Sequence, residues 1–191
     1  MKKALLIFSI LMVAVVSTAC INNLAVQDLN NKAKAFMEQG DYVQAIERLK
    51  SSIDLDPSIF ETHYNLAIAY TKAEDYVNAV EQYKKALELR PNDADVYYSL
   101  ATAQNNLAVD MSQGKVRLNV DDTLYTVKPG EEDEENSELS EKEQEIVAQN
   151  YDAAVQNYKK YLELEPNAKD RSEVEAQIEA ILNPQQQPVE E

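Results

Sequence analysis

The chain has 191 residues, a formal net charge of −16 at pH 7 and a pI near 4.4. That acidity weighs against a nucleic-acid partner, because phosphate binding needs a basic face, and against broad adhesion to anionic lipid. Only 3 glycines and 6 prolines punctuate a surplus of strong helix formers, and the single cysteine, Cys20, leaves no intrachain disulfide.

The first residues read as an address. Lys2 and Lys3 form a short positive region, and Ala4 to Val16 is a 13-residue apolar run. Such a run is too short for a transmembrane helix and suits a signal peptide spanning 1–19. It ends Ser17-Thr18-Ala19-Cys20, which resembles a bacterial lipobox, with Ser17 where leucine is more usual. The resemblance implies cleavage before Cys20 and acylation of its thiol, an anchor of several lipid chains. Ile21 rather than aspartate follows, which by the same resemblance favours the outer membrane where a bacterium has two. An ordinary secretory signal with an incidental cysteine, or an uncleaved anchor, is the alternative. Residues 20–25 form the tether, because the first helix is expected near Leu24. A tether of about four residues reaches roughly 15 Å, which would set the fold against the membrane.

A period then takes over. Pro57 and Pro91 lie 34 residues apart, and Pro91 and Pro166 lie 75 apart, one period plus 41. The frame gives copies at 26–59, 60–93 and 94–168, each a pair of helices A and B. Small residues recur where the two must approach: Ala33, Ala67 and Ala101 on A, and Ala45, Ala79 and Ala154 on B. Large ones surround them: Phe36 and Tyr70 on A, and Leu49, Tyr83 and Tyr158 on B. Tyr42, Tyr76 and Tyr151 come just after the turn, and the B-helix tyrosines are expected in the core with their hydroxyls near the surface. Proline stops each B helix by pushing the residue before it out of the α region.

This pattern resembles the tetratricopeptide repeat (TPR) family over most of the chain. The resemblance implies an all-α solenoid of three helix-turn-helix units, a fold that holds other molecules rather than transforming them. Three positions depart from the pattern: Lys32 replaces a leucine, Gln104 an aromatic and Tyr161 a small residue. The last is expected to face the next element and hold it at a wider spacing.

Residues 108–148 interrupt the third copy between its two helices. Val116, Leu118 and Val120, then Leu124 to Val127, alternate as a short β-hairpin turned at Asp121-Asp122. An isolated hairpin is marginal in water, so it must pack on the helices. The acidic run Glu131–Glu135 follows and lacks the ligand spacing of a calcium loop, so it reads as a solvated charge block. Ser140-Glu141-Lys142-Glu143 is a capping box, placing the start of the third B helix near Glu141. A capping helix spans 169–183, with a capping-box-like start at Asp170 and Glu173 and an apolar stripe of Val174, Ile178, Ile181 and Leu182. Residues 184–191 read as a disordered tail.

No catalytic constellation, metal-ligand spacing or cofactor motif is present. His63, the only histidine, falls at a helix-packing position. The TPR resemblance implies that the A helices line a concave groove. Carried over by repeat position, that groove presents Gln27, Asn30, Lys34 and Met37, then Glu61, Tyr64, Asn65, Ile68 and Lys72, then Asp95, Tyr98, Ser99, Thr102 and Asn105. The implied function is a membrane-anchored adaptor of the bacterial envelope that binds an extended or helical segment of another protein, with no small-molecule substrate. A chaperone that holds unfolded or exported chains is the alternative.

Overall fold

The computed structural model describes residues 23–127 and 138–183. The signal segment 1–19, Cys20 and Ile21, the acidic run Glu131–Glu135 and the tail 184–191 lie outside the described residues. Helix α1 occupies residues 23–38. It is followed by α2 (Tyr42–Leu55), α3 (Phe60–Lys72), α4 (Tyr76–Leu89), α5 (Ala94–Ser112), β1 (Val116–Leu118), β2 (Leu124–Thr126), α6 (Glu141–Leu164) and α7 (Arg171–Leu182). The pairs α1/α2, α3/α4 and α5/α6 are the A and B helices of the repeat, and α7 packs on α6.

One turn ends all three A helices. Gly40, Glu74 and Gly114 each have positive φ, at 76°, 58° and 73°. The amide after each reaches back to a helix carbonyl: Asp41 to Phe36, Asp75 to Tyr70 and Lys115 to Asp110, each at 2.9 Å. Glycine suits this left-handed position, and Glu74 occupies it at a cost of roughly 1–2 kcal/mol. In the first two copies the residue after the turn caps the B helix. Asp41 accepts the Gln44 amide at 3.1 Å and Asp75 accepts the Asn78 amide at 3.2 Å, each cap worth about 1 kcal/mol. In the third copy Lys115 stands there and leads into the hairpin.

Packing follows the small residues. Ala33, Ala67, Ala101, Ala45, Ala79 and Ala154 are all at most 1% exposed. Leu49, Tyr70, Tyr83 and Tyr158 fill the space around them. The hydroxyls of Tyr83 and Tyr158 point inward rather than to the surface. Tyr83 accepts from Thr71 Oγ1 at 3.3 Å, and Tyr158 shares a hydrogen bond of 3.0 Å with Thr102. His63 is buried, with Nδ1 2.8 Å from Gln82 Oε1 and Nε2 2.9 Å from the Pro57 carbonyl. Lys32 is exposed and pairs with Asp28 at 2.6 Å, so charge at this leucine position stays in water.

The third copy absorbs its insertion by lengthening both helices. Helix α5 has 19 residues against 13 in α3, and α6 has 24 against 14 in α4. Tyr42 and Tyr76 therefore open their helices, while Tyr151 sits well inside α6. The hairpin forms as expected, with Val116 opposite Thr126 and Leu118 opposite Leu124. Its turn is organised less by Asp121-Asp122 than by Asn119, whose side chain accepts the Asp121 and Thr123 amides at 3.0 and 2.8 Å. Val116 is buried in the main core, and Leu124 packs against it.

Glu143 ties this hairpin to α6. The Ser140 capping box is present, with Glu143 Oε2 accepting the Ser140 amide at 2.9 Å. The same carboxylate accepts the Leu118 amide at 3.0 Å and pairs with Arg117 Nε at 3.0 Å. Burial pushes this carboxyl up, but the Leu118 and Ser140 hydrogen bonds and the Arg117 charge outweigh it and hold the group below its ordinary value. A carboxylate lowered in this way stabilises the fold above the unfolded carboxylate range, and that contribution is lost as pH falls through the folded value.

The start of α7 departs from expectation. Asp170 is its N-cap residue but makes no side-chain capping bond. Its carboxylate instead accepts the Tyr161 hydroxyl at 2.7 Å. Arg171 secures the turn by donating to the Leu162 and Pro166 carbonyls at 3.0 and 3.1 Å. Val174 and Ile178 are buried, Ile181 is half-buried, and Leu182, expected in the same stripe, is 53% exposed.

Two outcomes follow from this packing. Ala79→Leu forces branched carbons into a fully buried helix contact and should destabilise by about 1–3 kcal/mol in urea unfolding; an unchanged midpoint contradicts the repeat frame. Slow exchange of the Leu118 amide should be lost on acidification below the ordinary carboxylate range, and should already be weakened at neutral pH in Glu143→Gln. Equal protection in both proteins contradicts the tie.

Candidate interaction groove

The A-helix residues singled out by repeat position divide into those used inside the fold and those left over. Asn30 belongs to the first kind. Its amide nitrogen donates to the Val26 carbonyl at 2.9 Å, to Ser52 at 2.8 Å and to Thr62 at 3.0 Å, joining α1, α2 and α3. Glu61 pairs with Arg90, whose guanidinium lies 3.8 Å from the Phe60 ring centroid. Gln27 donates to Asn23 at 2.9 Å. Met37 and Ile68 pack against the core. Thr102 donates to the Tyr98 carbonyl at 3.1 Å.

The aromatic residues form two clusters. Tyr64 lies on Phe60, with centroids 5.7 Å apart and planes 18° from parallel, and tilts toward Tyr83 at 6.1 Å. Tyr98 meets Tyr158 and Tyr161 edge to face at 5.7 and 5.3 Å. Burial pushes the Tyr64 phenol up against the Ser99 hydroxyl, and the Asp95 and Asp93 charges add to the rise. Burial likewise lifts Tyr158 to about 12. The hydrogen bond to Asp170, then burial, lifts Tyr161 to about 12.

Lys34, Lys72 and Asp95 are exposed, and Asn65 and Asn105 are half-buried. Among the described residues, the Asn65 and Asn105 amides carry no side-chain hydrogen bond within the protein. With the exposed Lys34, Lys72 and Asp95, they are polar groups of this face that remain available to a ligand.

Recesses open along the face among the described residues, two of them at opposite ends of the stack. One, of about 410 Å³, lies where α1 meets the α2–α3 turn and α3, and includes Gln27, Asn30 and Glu61. The other, of about 400 Å³, lies between α5, α6 and α7. It includes the expected Thr102 and Asn105 together with Asn106, Val109, Tyr151 and the α7 side chains Gln177 and Ala180. Repeat position could not find the α7 contribution, because α7 follows the last copy and its polar side reads as a solvated cap. Among the described residues, no three His, Cys, Asp or Glu side chains gather as a metal-holding group, and no helix is long and apolar enough to cross a membrane.

Tetratricopeptide-repeat models match residues 60–93 and 82–115, and a TPR-repeat model matches residues 33–74. These matches lie within residues 33–115, and the described part of the chain has the mostly helical TPR fold with a small two-stranded hairpin and a C-terminal helix. None of the curated proteins matches it. Solved TPR domains do. The first TPR of Spaghetti (RPAP3), bound to the HSP90 peptide SRMEEVD, superposes with a TM-score of 0.58 at 19% identity, over 86% of this chain and 95% of that one. The second TPR domain of human RPAP3, in complex with the HSP70 peptide SGPTIEEVD, gives 0.58 at 18% identity, over 83% and 98%. The TPR2B domain of yeast Sti1, in its pHsp70 complex, gives 0.52 at 18%, over 84% and 98%. At these identities the likeness is one of fold.

The tyrosine cluster predicts an alkaline transition. Tyr158 and Tyr161 are neutral in the fold up to about 12, against 10.0 for a free phenol. Their contribution to stability is present below the free value and is lost as pH rises through the folded one. Ultraviolet titration of tyrosinate should show a late-ionising fraction, and Asp170→Asn should bring part of it back toward the free value. No late fraction contradicts the burial of these phenols.

Proposed function

We propose that this chain is an adaptor whose A-helix face holds a segment of another protein. The observation that carries the reading is the pair of uncommitted amides, Asn65 on α3 and Asn105 on α5, on a face that also shows exposed Lys34 and Lys72 and the half-buried Tyr98 ring. Amides orient an extended backbone through hydrogen bonds, and ring faces supply contact area. The RPAP3 domains, recorded with HSP90 and HSP70 peptides, support segment binding as the mode. Those peptides end in the acidic sequence EEVD. In the TPR variant that clamps a terminal carboxylate with Lys and Arg, the clamp positions on the third A helix correspond here to Asp95 and Ser99. An acidic C-terminal tail finds no clamp at these positions, which disfavours that carboxylate-clamp mode.

The lipobox-like Ser17–Cys20 supports a place on the bacterial envelope, anchored through acylated Cys20 and facing the periplasm where there are two membranes.

The test is a photo-crosslinking residue at Lys72 in intact cells, read by mass spectrometry. One dominant protein partner is expected, lost in the Asn65→Ala/Asn105→Ala double variant at unchanged thermal stability. A spread of unrelated chains with no dominant species favours the holdase alternative. Metabolic lipid label should enter the wild type and not Cys20→Ala; equal labelling contradicts the anchor.

A further inference from the structure

The hairpin has one edge that the fold uses and one that it leaves open. Val127 N–H donates to the Lys115 carbonyl at 2.8 Å, and Asn119 N–H donates to the Thr123 carbonyl at 2.9 Å. With Arg117 opposite Tyr125, these bonds fix which main-chain groups face into the ladder. The N–H and C=O groups of Leu118 on β1, and of Leu124 and Thr126 on β2, therefore face outward. On β1 the outward amide is taken, because Leu118 donates to Glu143 at 3.0 Å. On β2 the outward groups of Leu124 and Thr126 have no hydrogen-bond partner among the described residues.

This edge is accessible. Strand β1 packs against α5 and is tied to α6 by Glu143, which leaves β2 as the outer strand, with Thr126 exposed and Tyr125 46% exposed. It is not blunted, since the register runs without a bulge and Leu124-Tyr125-Thr126 carries no charge and no proline. It is also held in strand geometry before anything binds, by Glu143 on β1 and by the Asn119 turn and the Lys142–Asp122 pair of 2.6 Å at the tip. Outward N–H and C=O groups two residues apart match an extended backbone and nothing more compact. Charge then separates the occupants. Asp121 and Asp122 stand exposed beside the edge, in a chain of net charge −16. A second copy would bring the same charge to the contact and be opposed by it, whereas a basic strand is favoured.

We infer that the outer edge of β2 receives an extended, basic segment of another protein, added as a third strand. Its backbone exchanges hydrogen bonds with Leu124 and Thr126. A side chain beside Leu124 extends the apolar side that packs on the core, and its neighbour on the opposite side lies along the Tyr125 ring. The edge is short, so charge and these side-chain contacts set the selectivity. None of the A-helix residues of the groove takes part, and the insertion, residues 108–148, gains a binding role of its own.

The experiment pans a displayed library of random short segments against the purified full chain, then reads the enriched peptides in two ways. Amide exchange followed residue by residue should slow at Leu124 and Thr126 when a peptide is added. Thr126→Pro removes an outward N–H and no ladder bond, so the hairpin and the protection of the Leu118 amide should persist. Enriched peptides should carry Lys or Arg, lose about tenfold or more in affinity to Thr126→Pro, and bind the Asn65→Ala/Asn105→Ala variant like wild type. Unchanged exchange at Leu124 and Thr126 on peptide binding overturns the inference without any variant. Peptides that bind Thr126→Pro like wild type, yet lose affinity to Asn65→Ala/Asn105→Ala, overturn the edge and leave the groove reading standing. A library that enriches no peptide overturns both. Self-association of the chain abolished by Thr126→Pro assigns the edge to a second copy and overturns the inference.

Discussion

The helix pairs of this chain depend on six alanines that no solvent reaches. Ala33, Ala67 and Ala101 on the A helices and Ala45, Ala79 and Ala154 on the B helices are exposed by at most 1%. A methyl group at these positions lets two backbones approach, and the larger tyrosines and leucines then close around the contact. Interiors packed to crystal-like density tolerate little added volume, so these positions set the spacing for everything attached to them. The A helices can form a shared face only because each is held at a similar distance from its B helix.

The same constraint explains how the third copy carries an insertion without losing its place. Ala101 and Ala154 keep α5 and α6 in contact, so the added chain enters beyond them. Both helices lengthen, α5 ends in the same left-handed turn as α1 and α3, and the hairpin grows from there. Glu143 then ties the hairpin's Arg117 and Leu118 to the first turn of α6. One carboxylate caps a helix, pairs with a cation and accepts a strand amide. The result is a prolonged pair whose added α5 turns meet α7 around an uncharged recess.

Much of this was legible in the sequence. The proline spacing fixed the repeat frame, the small residues located the helix contacts, and the Ser140–Glu143 box located the start of α6. These signals are local and periodic, so one chain suffices to read them. Partnerships between distant residues were less accessible. Asn30 sits at a groove position by repeat count, yet Ser52 and Thr62, on neighbouring elements, hold its amide. Asp170 looks like a helix cap, yet Tyr161 claims its carboxylate. Leu182 continues the apolar stripe by spacing, yet stands 53% exposed at the end of α7. The contribution of α7 to the recess was hidden because a polar helix face that solvates and one that lines a cleft have the same composition.

The interrupted copy is a full member of the array, with α6 helical from Glu141 onward rather than from Tyr151. Residue-resolved native-state hydrogen exchange tests it most directly. Amides past the first turn, from about Gln144, should be protected continuously through Tyr158 and open together with those of α5, as one cooperative unit. Rapid exchange from Gln144 to Asn150, with protection beginning only at Tyr151, would contradict it.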